Sequence, residues 1–477
     1  MPPPKPAVLR QKLELQRKAF VAARPESLAV RRDRLDRLVA LLVDHAEVLA
    51  ASMSADFGHR SREQSLLTDV LPAVSLAKYC LKHLRRWSRP ERRGVMFPLG
   101  LIGARAEVRY EPKGVIGIVS PWNFPVGLTM APLAQALAAG NRCLIKPSEF
   151  TPETSALMSG LLAQYFAPEE VACCLGDAEV GQAFCALPFD HLVFTGATSV
   201  GRHVMRAAAE NLVPLTLELG GKSPVIAGRS ADIARLGERV ALGKLMNAGQ
   251  VCLAPDYMLV PEDRLDETVR SLETAVAAMY PTLAGNDDYT AVINARHRDR
   301  LQALIADAVD KGATAVAVNP GGEDFSAANT PKLPLTILTG VNDDMRVMQE
   351  EIFGPVLPLM TYRSIGEAIN YVNAHDRPLG LYYFGSDAAE REAVLTQTSS
   401  GGVTVNDVVF HVSMDDLPFG GVGPSGMGAY HGPEGFKAFS HARAIYRQPR
   451  WDVAGLAGIK PPYGDAATRM LARVLKK

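Results

Sequence analysis

The 477 residues have no net charge to spare. Against 51 Lys and Arg stand 51 Asp and Glu, so there is no basic field to draw in nucleic acid or an anionic membrane surface. Long apolar runs are missing as well. None approaches the roughly 18 residues a membrane helix requires, and the opening Met1-Pro-Pro-Pro-Lys5 lacks the apolar core of a signal segment. Cysteine is scarce: six are present, at 80, 143, 173, 174, 185 and 252, with no CxxC pair and no metal-ligand spacing. That pattern fits a reducing compartment, so a cytoplasmic protein is expected. The ten histidines contain no HExxH and no clustered pair, so no metal is expected. The glycine turn Gly196-Ala-Thr-Ser-Val-Gly201 is not the GxGxxG fingerprint. Gly221-Lys-Ser223 mimics the tail of a P-loop, but Thr216 stands where that motif demands Gly and Pro224 follows directly, which excludes ATP binding on this ground. No internal repeat is visible.

What is present is an ordinary globular composition, 47% hydrophobic with a pI near 7.1, on a chain long enough for about three domains. From about residue 6 to 87 the pattern is helical, with apolar residues at three- and four-residue intervals in Leu35-Leu38-Leu41-Leu42 and in Leu67-Val70-Leu71-Val74. A basic, proline-containing joint follows at 85–93. The stretch to Pro112, including Ala104-Arg-Ala-Glu-Val-Arg-Tyr110, alternates like a hairpin arm. Val- and Ile-rich runs at 115–119, 143–146, 171–175 and 192–195 then alternate with helical segments, the pattern of a parallel sheet with crossover helices. A second α/β set runs from 222 to about 421, with strands expected at 225–227, 257–260, 336–338, 356–362 and 403–405. The segment 418–428 is too glycine-dense for a helix or a regular strand and reads as a tight loop. A strand-like stretch at 441–450 precedes a short basic amphipathic helix around Met470, Leu471, Val474 and Leu475, expected to dock on the surface.

Two short signatures carry chemistry. Pro214-Leu-Thr-Leu-Glu-Leu-Gly-Gly-Lys-Ser-Pro224 and Gly249-Gln-Val-Cys-Leu-Ala254 set one carboxylate and one thiol in glycine-edged turns. A Cys nucleophile needs a base and backbone donors for a developing oxyanion, and glycine lets the backbone come that close. Glu218 and Cys252 read as that base and nucleophile. Glu218 sits in an otherwise apolar run, where an unpaired carboxylate is costly to bury. The alternatives are a solvated strand-end carboxylate and a structural thiol. Gly196-Ala-Thr-Ser-Val-Gly201 falls between a strand and a helical run, so free N–H groups at that helix start are placed to face a pyrophosphate.

Seven motifs in a fixed order give the chain its resemblance. Pro121-Trp-Asn-Phe-Pro125, Lys146-Pro-Ser-Glu149, Phe194-Thr-Gly196 with Gly201, Glu218-Leu-Gly-Gly221, Gly249-Gln-Val-Cys252, Glu350-Glu-Ile-Phe-Gly-Pro355 and Pro418-Phe-Gly-Gly421 resemble the aldehyde dehydrogenase family over roughly residues 15–450. Cys252-Leu-Ala-Pro-Asp256, Val403-Thr-Val-Asn-Asp407 and Gly426-Met-Gly-Ala-Tyr-His-Gly432 look most like its class 3 branch, which acts on medium-chain, fatty and aromatic aldehydes. Trp87-Ser-Arg-Pro-Glu-Arg-Arg93 and Lys146-Pro-Ser-Glu-Phe-Thr-Pro152 resemble bacterial coniferyl aldehyde dehydrogenases.

The resemblance implies an α/β fold with a Rossmann-type cofactor domain at 1–93 and 112–220, a catalytic domain at 221–421, an oligomerisation arm at 94–111 and 422–450, and a tail at 451–477. It implies oxidation of an aldehyde to the acid through a thiohemiacetal and a thioester on Cys252. Glu218 would activate water, and the Asn123 amide with the Cys252 N–H would bind the oxyanion. NAD is the implied cofactor, with NADP possible. Lys146 and Glu149 would sit at the adenosine ribose, where Glu149 disfavours a 2′-phosphate. Glu351 would hold the nicotinamide ribose and Phe353 would pack by its ring. Trp122, Ser148, Gly196, Gly201, Leu219 and Gly220 complete the implied cofactor contacts. Family members often carry Ser where this chain has Ala197, so one phosphate contact is missing. In class 3 relatives the position of His411 borders the aldehyde tunnel; substrate contact and plain surface residue both stay open. Phe124, Leu128 and the loop 408–417 would set the pocket's width. The partner is a small aldehyde, and a homodimer is expected because edges near 94–111 and 441–449 would otherwise be left unpaired. Competing readings are an acylating enzyme that hands its thioester to coenzyme A, which Glu218 counts against, a Cys-dependent esterase without redox chemistry, and a non-catalytic structural protein.

Overall fold

Helices occupy residues 6–87, and the Leu35-Leu38-Leu41-Leu42 stripe is fully buried on helix Leu28–Asp44, whose start is capped by the Ser27 side chain accepting from the Val30 N–H. The computed structural model describes residues 6–97, 99–325 and 330–475; the proline-rich opening at 1–5 and the last residues, 476–477, lie outside the described residues. The second expected stripe is half wrong. Leu66–Val70 is a π-helical turn that rotates the buried face, so Val70 and Val74 go inside while Leu67 and Leu71 are exposed.

A six-stranded sheet runs in the spatial order Gly426–Met427, Leu215–Glu218, His191–Thr195, Val115–Val119, Arg142–Lys146, Val171–Cys173. Its last five strands are mutually parallel, and Gly426–Met427 adds antiparallel to Leu215–Glu218. The glycine-dense loop therefore contributes a two-residue strand, contrary to expectation, because Gly426 at φ 148 pairs directly with Glu218. The strand Val115–Val119 is central and buried on both faces, which is why it reads as Val and Ile on either side of Gly117 rather than as an apolar–polar alternation. Helix Gly127–Ala139 is almost wholly buried between this sheet and the amino-terminal helices.

The second set forms a seven-stranded sheet in the order Thr314–Val318, Leu335–Thr339, Val356–Tyr362, Tyr257–Pro261, Pro224–Ala227, Gly380–Phe384, Gly402–Val405. The expected strands are all there, and two more appear. Thr314–Val318 is a largely exposed antiparallel edge, while Gly380–Phe384 is completely buried beside Pro224–Ala227.

The third sheet is antiparallel and three-stranded: Glu91–Arg93, Arg105–Pro112, Ser440–Arg447. Arg105–Pro112 was expected to present a free edge, yet it lies in the middle with both sides paired. The open edges belong to Glu91–Arg93 and Ser440–Arg447. Residues before Ser440 turn back to the six-stranded side, where helix Gly432–Ala438 packs on Gly127–Ala139. The tail helix Asp465–Val474 forms as expected but does not dock by its apolar stripe: only Ala467 is buried, and Met470, Leu471 and Val474 stay exposed.

Candidate active site

A cavity of about 1550 Å³ opens between the two parallel sheets. Trp122, Asn123, Lys146, Ser148, Glu149, Gly196, Glu218, Leu219, Gly220, Cys252, Glu351 and Phe353 all line it. Gly201 does not. It lies one turn into helix Thr198–Ala209, where a Cβ would come within 2.7 Å of Leu219 Cδ2, so its bareness lets that helix close on the strand end. Leu128 reaches the cavity, whereas Phe124 is buried beside it. His411 stands apart from the lining, with Nδ1 2.9 Å from Thr404 Oγ1.

The thiol follows a strained turn. Asn247, Ala248 and Gly249 have φ of 50°, 52° and 74° in succession, a left-handed run that is costly for the two residues with a Cβ. Side-chain amides hold it. Asn247 Nδ2 donates to the carbonyls of Asn123 at 3.0 Å and Gln250 at 3.2 Å, while Gln250 Nε2 donates to those of Asn247 at 2.9 Å and Ala291 at 3.0 Å. A Cβ on Gly249 would fall 2.4 Å from the Gly354 carbonyl, so only glycine fits there. Cys252 emerges half-buried. Burial, then the Glu351 and Glu218 carboxylates, push its pKa up, so the resting group is a thiol whose proton must leave as it attacks.

Glu218 ends strand Leu215–Glu218 and is 2% exposed, and neither carboxylate oxygen has a hydrogen-bond partner among the described residues. Burial pushes its pKa well above the carboxylate range. It is not the solvated strand-end acid that was the duller alternative. Asn123 is 3% exposed and donates one N–H of its amide to the Gln250 carbonyl at 3.1 Å, which leaves the second free to face the cavity.

Several neighbours escaped the sequence reading. The Tyr430 phenol is buried, and burial, then the charges of Glu218 and Cys252, raise its pKa. Tyr382 donates its hydroxyl to the Leu253 carbonyl at 2.5 Å. Lys222 Nζ pairs with Asp256 and donates to the carbonyls of Val347 at 2.7 Å and Glu350 at 3.1 Å, while Asp256 accepts from the Ile352 N–H at 2.9 Å. These bonds pin the segment that carries Glu351. Tyr430 and Asp256 stand inside motifs quoted above only for the class 3 resemblance, and Lys222 is read there only as a P-loop fragment. Arg60 and Asp69, from the helical amino-terminal region, gave no signal at all.

The donor set along the cavity fits a dinucleotide. Lys146 Nζ donates to the Pro147 carbonyl at 2.8 Å and to Glu149 Oε2 at 3.1 Å, giving a donor and an acceptor side by side at the end of strand Arg142–Lys146. Helix Thr198–Ala209 starts without a side-chain cap at Ala197, so its first N–H groups stay open toward Gly196 and the cavity. At the far end Glu351 Oε1 is buried without a partner, and burial pushes that carboxyl up to about 8. The Phe353 ring stands 5.3 Å from Trp122, on a backbone with φ of 50°. A hydroxyl-binding pair, an anion site and an acceptor beside aromatic rings match ribose, pyrophosphate and ribose in turn. No group of three or more His, Cys, Asp or Glu positioned for a metal occurs among the described residues.

Comparison with known proteins shows the family. The aldehyde dehydrogenase family model matches residues 7–445. The chain is 53% identical to a Caulobacter vibrioides protein named probable coniferyl aldehyde dehydrogenase, over 99% of this chain and 97% of that one. It is 52% identical to the coniferyl aldehyde dehydrogenase of a Pseudomonas species, over 97% of this chain and 95% of that one. Among solved structures, the substrate-bound state of Staphylococcus aureus AldH superposes with a TM-score of 0.90 at 33% identity, covering 98% of this chain and 99% of that one. The chain belongs to the aldehyde dehydrogenase family, whose members oxidise aldehydes with NAD(P).

Proposed function

We propose that Cys252, Glu218 and Asn123 convert an aromatic, cinnamyl-type aldehyde such as coniferyl aldehyde to its acid. Medium- or long-chain aliphatic aldehydes are the second substrate class. The observation that carries the assignment is the partnerless carboxylate of Glu218 opening on the same cavity as the Cys252 thiol.

Cys252 Sγ adds to the aldehyde carbon as its proton passes to a carboxylate whose basicity burial has raised. The oxygen gains charge, and the free Asn123 amide N–H and the Cys252 backbone N–H receive it; losing one such donor costs about 2.7–4 kcal/mol of barrier. When bound, the dinucleotide supplies the acceptor for the hydride that leaves the thiohemiacetal carbon. Once Glu218 has released that first proton to solvent, the remaining thioester is opened by water, whose proton Glu218 takes as the new C–O bond forms and then hands to the departing thiolate as the C–S bond breaks and the acid is released.

Lys146, Ser148 and Glu149 would hold the adenosine ribose, Gly196 and the helix start behind it the pyrophosphate, and Glu351 with Phe353 the nicotinamide ribose. Trp122, Leu219 and Gly220 wall this path, and Gly201 supports it from behind. A carboxylate at Glu149 favours NAD over NADP. The six-stranded unit then serves as the cofactor domain, the seven-stranded unit as the catalytic domain and the three-stranded sheet as a dimerisation arm. The open edge of Ser440–Arg447 and the exposed Tyr446 support a homodimer. All six cysteines are free, which supports a reducing, cytoplasmic setting, and among the described residues no single helix is long and apolar enough to cross a membrane.

The substrate class rests on relatives named for coniferyl aldehyde, more than half identical in sequence over nearly the whole chain. A nicotinamide absorbance assay over cinnamyl-type and aliphatic aldehydes, with NAD and NADP in parallel, tests it. The highest kcat/KM is expected for cinnamyl-type aldehydes with NAD, and a preference for short aliphatic aldehydes would overturn the substrate.

A further inference from the structure

A pair of opposite charges lies in the core with no exit to solvent. Arg60 is 1% exposed and Asp69 is fully buried, with Arg60 Nη2 3.2 Å from Asp69 Oδ2. Such a pair is a weak source of stability, because desolvating two charges offsets most of their attraction. Its contacts suggest a different purpose. Arg60 Nη1 donates to the Asn123 carbonyl at 3.0 Å, and Asp69 Oδ1 accepts from the Gly127 N–H. The two charges thereby grip the two ends of the turn 123–127. Between those ends, the Phe124 ring lies 5.2 Å from the guanidinium carbon, with Phe57 at 5.1 Å also against it.

The Asn123 carbonyl also accepts from Asn247 Nδ2, which in turn reaches the Gln250 carbonyl, the acceptor of the Asn123 amide. One chain of bonds thus runs from the amino-terminal helices to both proposed oxyanion donors, Asn123 and the Cys252 N–H two residues beyond Gln250. Asp69 itself sits on the π-helical turn Leu66–Val70, an irregularity that places its carboxylate against the Gly127 N–H rather than leaving the helix regular.

We propose that Arg60 and Asp69 form a positioning pair that sets the Asn123 amide for the oxyanion of the first chemical step. This rests on the oxyanion role proposed for Asn123. Neither residue touches substrate. Their effect passes through the turn they hold, where a displacement of about 1 Å is enough to cost about 100-fold in rate.

The test is a double-mutant cycle on the whole enzyme, reading the rate of the first turnover by rapid mixing, the KM for NAD and the thermal midpoint. Replacing both charges by apolar residues of similar size, Arg60→Met with Asp69→Leu, leaves no lone buried charge. The expected result is a 10–100-fold slower first turnover with an unchanged KM for NAD. Asn123→Ala alone is expected to slow it about 100–1000-fold. In the Asn123→Ala background the paired change should add less than about twofold, since the amide it positions is gone. Should the paired variant not fold, Asp69→Asn, nearly identical in shape, takes its place with the same expected non-additivity.

Additive losses would mean that the pair acts elsewhere and would overturn the inference, as would full first-turnover rate in the charge-free variant. Asn123→Ala with undiminished turnover would remove the oxyanion assignment itself. Impaired Asn123→Ala beside an unimpaired charge-free enzyme would remove only the positioning role.

Discussion

Changing Glu218 to Gln should separate the two halves of the reaction. The native carboxylate is 2% exposed with both oxygens partnerless, and burial alone raises its pKa. Gln keeps the shape but takes no proton. General-base assistance contributes typically 10²–10⁴-fold, about 3–5 kcal/mol of barrier, so hydrolysis of the Cys252 thioester is expected to slow by that factor. Thioester formation depends on it less, because the thiol proton also has solvent to go to through a half-buried Cys252. Rapid mixing of Glu218→Gln with saturating aldehyde and NAD should therefore give a burst of reduced nicotinamide approaching one equivalent per subunit, then a steady phase slowed at least 100-fold. In the native enzyme the rate after the first turnover should rise with pH through and beyond the ordinary carboxylate range, as the raised Glu218 ionises; that rise should vanish in the variant. The thermal midpoint should hold or increase, because a neutral amide replaces a buried acid with no partner. An unchanged steady rate refutes the base assignment. Loss of burst and steady phase together shows that sulfur attack itself requires the carboxylate, which refutes the division of labour.

Cys252→Ala should abolish aldehyde oxidation at every pH while leaving the melting curve in place, since Ala fills less of an already half-open site. Glu149→Gln should raise the ratio of kcat/KM for NADP over NAD by about tenfold or more, because a carboxylate no longer faces the 2′-phosphate while Lys146 remains; initial rates with both cofactors measure it. Acid should destabilise the fold through buried histidines. Burial lowers His191 to about 3 and His411 and His431 to about 4, from 6.5. Between those values the unfolded chain binds the protons and the native one does not, so stability is complete above about pH 6.5 and falls as pH drops toward 4. For the 8%-exposed His431 the change corresponds to about 3 kcal/mol, and melting curves from pH 7 to 4 should show it, His431→Gln flattening the slope.

The parallel sheets were readable because strands buried on both faces are written as near-continuous apolar runs, as 115–119, 192–194 and 356–360 are. Glu218 and Cys252 stood out in the sequence because each lies within three residues of a glycine in a short motif, and the fold brings both to one cavity. Reading failed where tertiary contacts decide. Thr314–Val318 follows a helix with Ala-rich alternation on an exposed edge, and Gly380–Phe384 contains three consecutive aromatics that only burial from both sides explains. Of the open edges expected near 94–111 and near 441–449, the first is paired on both sides, because pairing partners more than 300 residues apart leave no local trace. Arg60 and Asp69 were invisible for the same reason: a buried ion pair nine residues apart on helical sequence looks like an ordinary surface pair until the turn it grips comes into view. Leu67 and Leu71 misled because a π-turn breaks the 3.6-residue period from which their burial was inferred.

Strain and unpaired polarity meet at the turn before Cys252 and the cavity it opens on. Asn247, Ala248 and Phe353 hold positive φ at the cavity, and a residue kept there costs on the order of 1–3 kcal/mol. Glu218 and Glu351 add buried carboxylate oxygens without partners, and Lys244 adds a fully buried ammonium without one, its pKa lowered to about 8 by burial. None of these features helps the chain fold. They persist because neighbouring structure over-determines them: Gln250 fastens the nucleophile turn to Ala291 and Ile293 of the seven-stranded unit, while Asn247 fastens it to Asn123 of the six-stranded one. The turn before Cys252 is therefore where the two units are tied together, so the alignment of thiol, amide and carboxylate is fixed by the same bonds that fix the units against each other. A cavity built that way presents its acceptors and donors already aimed, and the partnerless oxygens of Glu218 and Glu351 are what an enzyme retains when their partners are a water and a sugar hydroxyl that arrive only with the reactants.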